Sequence, residues 1–97
     1  MQGNSSNSNA PIKGIDVTLQ ERGSRYGDFK THADISQAME DVMRGTPGWE
    51  RLTPFMKESL KMNVHKIARI LNGDPFYKDN WIDLAGYAQL VSRELKD

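Results

Sequence analysis

Three stretches of this chain repeat apolar residues at three- and four-residue steps, and each of the first two ends in a cluster of glycine and proline. An α-helix returns to the same face at that period, so a chain patterned this way buries helix faces and not sheet faces. In the first stretch Ile35, Ala38, Met39, Val42 and Met43 form the stripe, opened by Thr31-His-Ala-Asp34 and closed by Gly45, Pro47 and Gly48. In the second, Thr53 offers a capping hydroxyl ahead of Pro54. Met56, Leu60, Val64, Ile67 and Leu71 then run to a stop at Asn72-Gly73 and Pro75. The third follows the loop from Asp74 to Lys78; Asp79 can cap it, and Trp81, Leu84, Ala85, Ala88, Val91 and Leu95 line one face. The spacing predicts helices over 31–44, 54–72 and 80–95. No alternating run of β-branched residues and no hairpin dipeptide competes. The expected fold is all-α: a small helical bundle of three main helices plus a short N-terminal helix.

That short helix is expected from Thr18-Leu-Gln-Glu21, which has the form of a capping box, with Gly23 as its stop and a loop from Ser24 to Phe29. Ahead of it, the glycine, asparagine, serine and glutamine of the first residues cannot bury enough apolar surface to offset the entropy of ordering them. Residues 1–14 are therefore expected as a disordered tail and 15–97 as one helical domain. On the last helix Ile82 and Leu90 lie well away from the main stripe. Either that helix is central and touched on two sides, or the second stripe is a subunit contact.

Thirteen basic residues balance thirteen acidic ones, so no global field draws the protein to nucleic acid or an anionic membrane. The absence of cysteine removes disulfide frameworks, thiolate nucleophiles and cysteine zinc sites together. No apolar run approaches a membrane span of about 20 residues, and the N-terminus lacks the apolar segment of a secretory signal. The expected location is the cytoplasm.

Chemistry-bearing residues concentrate in two places. Asp79 and Asp83 stand one helical turn apart and can hold Mg2+ beside a substrate phosphate, with Lys66 and Arg69 receiving phosphate oxygens. The same residues also serve as a helix cap, a first-turn acid and ordinary ion-pair partners. Arg22, Arg25, Tyr26 and Lys30 make a basic, aromatic stretch able to stack a base and hold its phosphate, or simply to pack over the bundle. His65 is expected to face solvent or bond a neighbour. His32 has no histidine or cysteine at metal-ligand spacing, and no serine has the histidine and carboxylate of a nucleophile.

Glu21-Arg-Gly-Ser-Arg-Tyr-Gly-Asp-Phe29, His65-Lys-Ile-Ala-Arg-Ile-Leu-Asn-Gly-Asp-Pro75 and Asp79-Asn-Trp-Ile-Asp-Leu-Ala-Gly-Tyr-Ala88 together resemble a family of small phage and prophage proteins of unassigned function. More remotely, the helix of Asp79, Asp83 and Tyr87 is similar to the last motif helix of MazG-like all-α nucleoside triphosphate pyrophosphohydrolases. Those enzymes hold Mg2+ on acidic motifs from two helices; their first motif, Glu-Glu-x-x-Glu, has no match in this chain. The resemblance implies a helical fold, a nucleotide or other phosphate-bearing ligand, Mg2+ as cofactor, and a host-cell cytoplasmic setting. Its ligand-binding candidates are Arg25, Tyr26, Lys66, Arg69 and Tyr87, with Asp79 and Asp83 for the metal. Three functions follow as expectations: a phage-encoded accessory protein that binds such a ligand without turnover, a homo-oligomeric module acting on a host protein, or a degenerate pyrophosphohydrolase.

Overall fold

A computed structural model describes residues 19–21, 23 and 25–96 of the chain, all helix, turn or loop, with no strand among them. Three long helices follow one another: α1 (Phe29–Arg44), α2 (Pro54–Asn72) and α3 (Lys78–Ser92), with a 3-10 turn at Pro47–Arg51 between the first two. The all-helical bundle expected from the periodicity is the observed fold. No helix is long and apolar enough to cross a membrane among the described residues.

The boundaries show which local signals act. Helix α2 begins and ends as its Thr53-Pro54 and Asn72-Gly73 signals predict, although Thr53 caps without a side-chain hydrogen bond. Helix α1 starts earlier than expected because Asp28, not Thr31, is the cap. The Asp28 carboxylate accepts from both the backbone N–H and the hydroxyl of Thr31. Those bonds, the backbone one first, hold the Asp28 carboxyl below its ordinary pKa. At the other end Arg44 reaches back to Glu40 at 3.1 Å and Asp41 at 2.9 Å, a cation where the helix dipole favours one. Helix α3 starts at Lys78 behind Tyr77, so Asp79 is a first-turn acid and not the cap, and the helix ends at Ser92 short of Leu95.

The capping-box threonine and the tail lie outside the described residues. Gly23 does not end the short helix, since Arg25 and Tyr26 are helical beyond it. Gly27 is the stop: its φ of 79° is a conformation glycine adopts freely, and its N–H donates to the Gly23 carbonyl at 2.9 Å.

The apolar stripes bury less than their pattern implies. Val64 and Ala68 of α2 are the fully buried apolar residues among those described, while Val42, Leu60 and Leu71 of the expected faces are exposed. Trp49 is half-buried in the 3-10 turn with the Lys57 ammonium 5.5 Å from its ring. The largest revision concerns α3. Of its expected apolar face Trp81, Ala85 and Ala88 are exposed, as is Leu95 beyond its end, and the side that meets α2 carries Asn80, Asp83, Leu84, Tyr87 and Val91. Asn80 is 1% exposed. Opposite it α2 presents Ser59 and Lys66, both buried. The Ser59 hydroxyl donates to the Tyr87 carbonyl at 2.8 Å, and the Lys66 ammonium sits 2.8 Å from the Asp83 carboxylate. An antiparallel helix pair joined through polar groups is the result.

Candidate functional site

The two sequence segments richest in aromatic and basic residues meet at the C-terminal end of α2. Asn72 reaches across to the loop before α1, its Nδ2 donating to the carbonyls of Tyr26 at 3.2 Å and Asp28 at 2.9 Å. The Asp74 N–H donates to the Arg25 carbonyl at 2.6 Å. Two glycines let the backbones come this close. A Cβ on Gly73 would collide with the Arg25 carbonyl, and one on Gly27 with the Asn72 carbonyl.

Held this way, the segment places its side chains in an alternating stack. The Arg69 guanidinium lies 4.1 Å from the Tyr26 ring centroid, Tyr26 meets Tyr77 edge-on at 6.0 Å, and Arg25 lies 5.2 Å from the Tyr77 ring. The Tyr77 hydroxyl donates to Asp79 at 3.2 Å, and this bond above all raises the phenol's pKa.

Beside the stack opens a cleft of about 470 Å³, lined by Tyr26 and Asp28 of the loop, Phe29 and His32 of α1, and His65 and Arg69 of α2, with Leu19, Gly23 and Gly27 at its edge. The volume falls in the range of small-molecule sites. His32 Nε2 and His65 Nδ1 are 3.0 Å apart, one donating to the other across the α1–α2 contact. Ser36 Oγ lies 3.4 Å from the same His32 nitrogen. One ring nitrogen cannot both take a proton from Ser36 and be steered by His65, so this is no nucleophile relay. Burial, then the Arg69 charge, lowers the pKa of His32. Burial followed by Arg69, His32 and Lys66 pushes His65 down to about 4. Both rings are therefore neutral at neutral pH. Asp28 is engaged in capping, and Arg69 has no carboxylate partner among the described residues. The charged groups of the cleft are thus the Arg69 guanidinium and the Asp28 carboxylate, the latter turned to its cap, under a Phe29 ring that is 79% exposed and stacked on His32.

A family model described as a domain of unknown function, DUF6378, matches residues 13–95, more than half of the chain. The chain belongs to the DUF6378 family. No curated protein and no solved structure matches it.

Of the site residues anticipated in this DUF6378 chain, Tyr26 and Arg69 line the cleft, and Arg25 joins the stack behind them. Lys66 and Asp83 face each other in the α2–α3 contact, Asp79 holds the Tyr77 hydroxyl, and Tyr87 gives its carbonyl to Ser59. None of these four lines the cleft. No group of three or more histidine, cysteine or acidic residues able to hold a metal exists among the described residues. Of the pair anticipated for a metal, Asp83 faces the Lys66 ammonium and Asp79 accepts from the Tyr77 hydroxyl. The expectation that His65 bonds a neighbour matches the structure. Its partner, His32, stands 33 positions away and carries no local signal.

Proposed function

We propose that the DUF6378 chain is an accessory protein that binds a phosphate-bearing aromatic ligand, of which a nucleotide is the simplest kind, in the cleft between the loop and the α1–α2 contact. The observation that carries this reading is Arg69: a half-buried guanidinium, oriented by the Tyr26 ring and with no carboxylate partner among the described residues, in a cleft whose histidines are neutral. Such a group binds phosphate oxygens through charge-assisted, two-pronged hydrogen bonds. Phe29 offers the ring on which a base stacks. Neutral His65 and His32 supply a donor and an acceptor for the polar edge of that base. The likeness to small phage and prophage proteins supports a phage-encoded origin and a host-cytoplasmic setting. A magnesium ion on Asp79 and Asp83 would have to displace Lys66, so the cleft is read as independent of metal.

Calorimetry of the full chain against nucleoside mono-, di- and triphosphates, with and without Mg2+, tests this. Binding is expected without Mg2+, and Arg69→Gln should weaken it by about ten- to a hundredfold, the worth of a hydrogen bond to a charged group. Unmodified nucleosides should lose less on the same substitution. Wild-type protein that binds no nucleotide in either condition overturns the reading, and binding that requires Mg2+ and is lost in Asp83→Asn moves the site to the acidic pair.

A further inference from the structure

Helix α3 turns its one charged residue between Asn80 and Ser92, Asp83, toward Lys66 and leaves Ile82, Ala85, Gly86, Ala88 and Leu90 toward solvent. Ile82 is 52% and Leu90 47% exposed. A helix that is polar where it meets its own chain and apolar where it meets water has its outer side covered by something.

The pattern on that side says what. Asp79, Ile82, Gly86, Leu90 and Arg93 fall on one stripe at steps of three, four, four and three, so the spacing reads the same in both directions about Gly86. We propose that α3 pairs antiparallel with α3 of a second copy of this chain, across a two-fold axis at Gly86. A two-fold axis there sets each Ile82 against the partner subunit's Leu90, apolar on apolar. Each Asp79 then meets the partner subunit's Arg93, opposite charges at both ends of the contact. A parallel pair would instead set Asp79 against its own copy, like charge on like. Glycine is a poor residue for the middle of a helix, and within its own chain Gly86 has no reason to be one: a Cβ there would meet nothing within 4 Å. At the axis the reason is plain, because two helices cross most closely where neither carries a side chain. The contact lies apart from the cleft and does not depend on what the cleft binds.

The full chain has no cysteine, so Gly86→Cys introduces a single thiol. Helix axes about 8–10 Å apart, less two backbone radii of about 2.3 Å, leave Cα atoms roughly 3.4–5.4 Å apart, which overlaps the disulfide range. Sedimentation equilibrium of the wild type should give twice the 11.0 kDa monomer mass. Oxidation should link the Gly86→Cys variant as a dimer while the exposed control Glu50→Cys stays unlinked. Asp79→Arg should weaken the dimer about tenfold by setting like charges together, and Asp79→Arg with Arg93→Asp should restore it. Circular dichroism checks that each variant keeps its helices. A wild type that sediments as a monomer throughout the micromolar range overturns the proposal and leaves the face to a different partner. A dimer that ignores the charge reversal, or that links no faster through Gly86→Cys than through Glu50→Cys, overturns it equally, since its contact then lies elsewhere.

Discussion

Helix α2 uses polar residues on two sides, and the two sides behave differently. Toward α3, Ser59 and Lys66 each find a partner, the Tyr87 carbonyl and the Asp83 carboxylate. Toward α1 and its loop, the histidines bond each other and Asn72 bonds the loop, but Arg69 rests on an aromatic face with no carboxylate partner among the described residues. Polar groups that satisfy one another specify how helices pack. A cation left over in a cleft is available to something outside the chain. Residue type alone does not separate the two, for Lys66 and Arg69 are one turn apart on the same helix.

The largest expected effect breaks the second side. Gly73→Ala forces a methyl group into the Arg25 carbonyl and should cost about 2–3 kcal/mol, as overpacking of a close backbone contact does. Chemical denaturation measures the cost, and nucleotide binding should disappear with it because Tyr26 leaves Arg69. A loss of stability with binding intact would show that the latch and the cleft are separable.

A smaller effect is expected from Lys66→Met on the first side. The lysine is buried but Asp83 is nearly half exposed and can rehydrate, so the loss should be about 1–2 kcal/mol, below that of a fully buried pair. Adding Asp83→Leu should recover most of it in a double-mutant cycle. Recovery would identify the pair as a packing device; no recovery would mean that Lys66 acts on a third group.

An effect absent at neutral pH, and growing only as the solution is acidified, is a pH dependence located at the histidine pair. His32 and His65 titrate below the ordinary 6.5, His65 at about 4, because burial and Arg69 oppose a second charge. The unfolded chain therefore takes up protons first as pH falls. The pair's contribution to stability is complete above pH 6.5 and is lost as pH drops from there through about 4. Thermal melts across that window should show the decline, and His65→Gln should flatten it.

Much of the fold was legible because its signals are local. Thr53-Pro54 and Asn72-Gly73 mark α2 by chemistry within a few residues. The buried face of α3 was not, because hydropathy assumes an apolar neighbour and α2 offers Ser59 and Lys66 instead. Asn80 lies inside, its Nδ2 buried without a hydrogen-bond partner among the described residues, while Trp81, whose indole donates to the Pro75 carbonyl at 2.8 Å, lies outside. In the cleft, Tyr26 and Arg69 could be picked out by type, whereas Phe29, His32 and His65 became relevant only when folding brought distant positions together. That Lys66 and Asp83 face each other was not legible, because a paired charge and a free one are spelled alike.

The latch between Gly27 and Gly73 binds the loop by its main chain: the carbonyls of Arg25, Tyr26 and Asp28 are what Asn72 and Asp74 grip. Anchorage therefore does not depend on which side chains the loop carries. Positions 25 and 26 can exchange their side chains while the backbone stays in the same grip, so the surface the loop presents can change without the chain relearning how to fold.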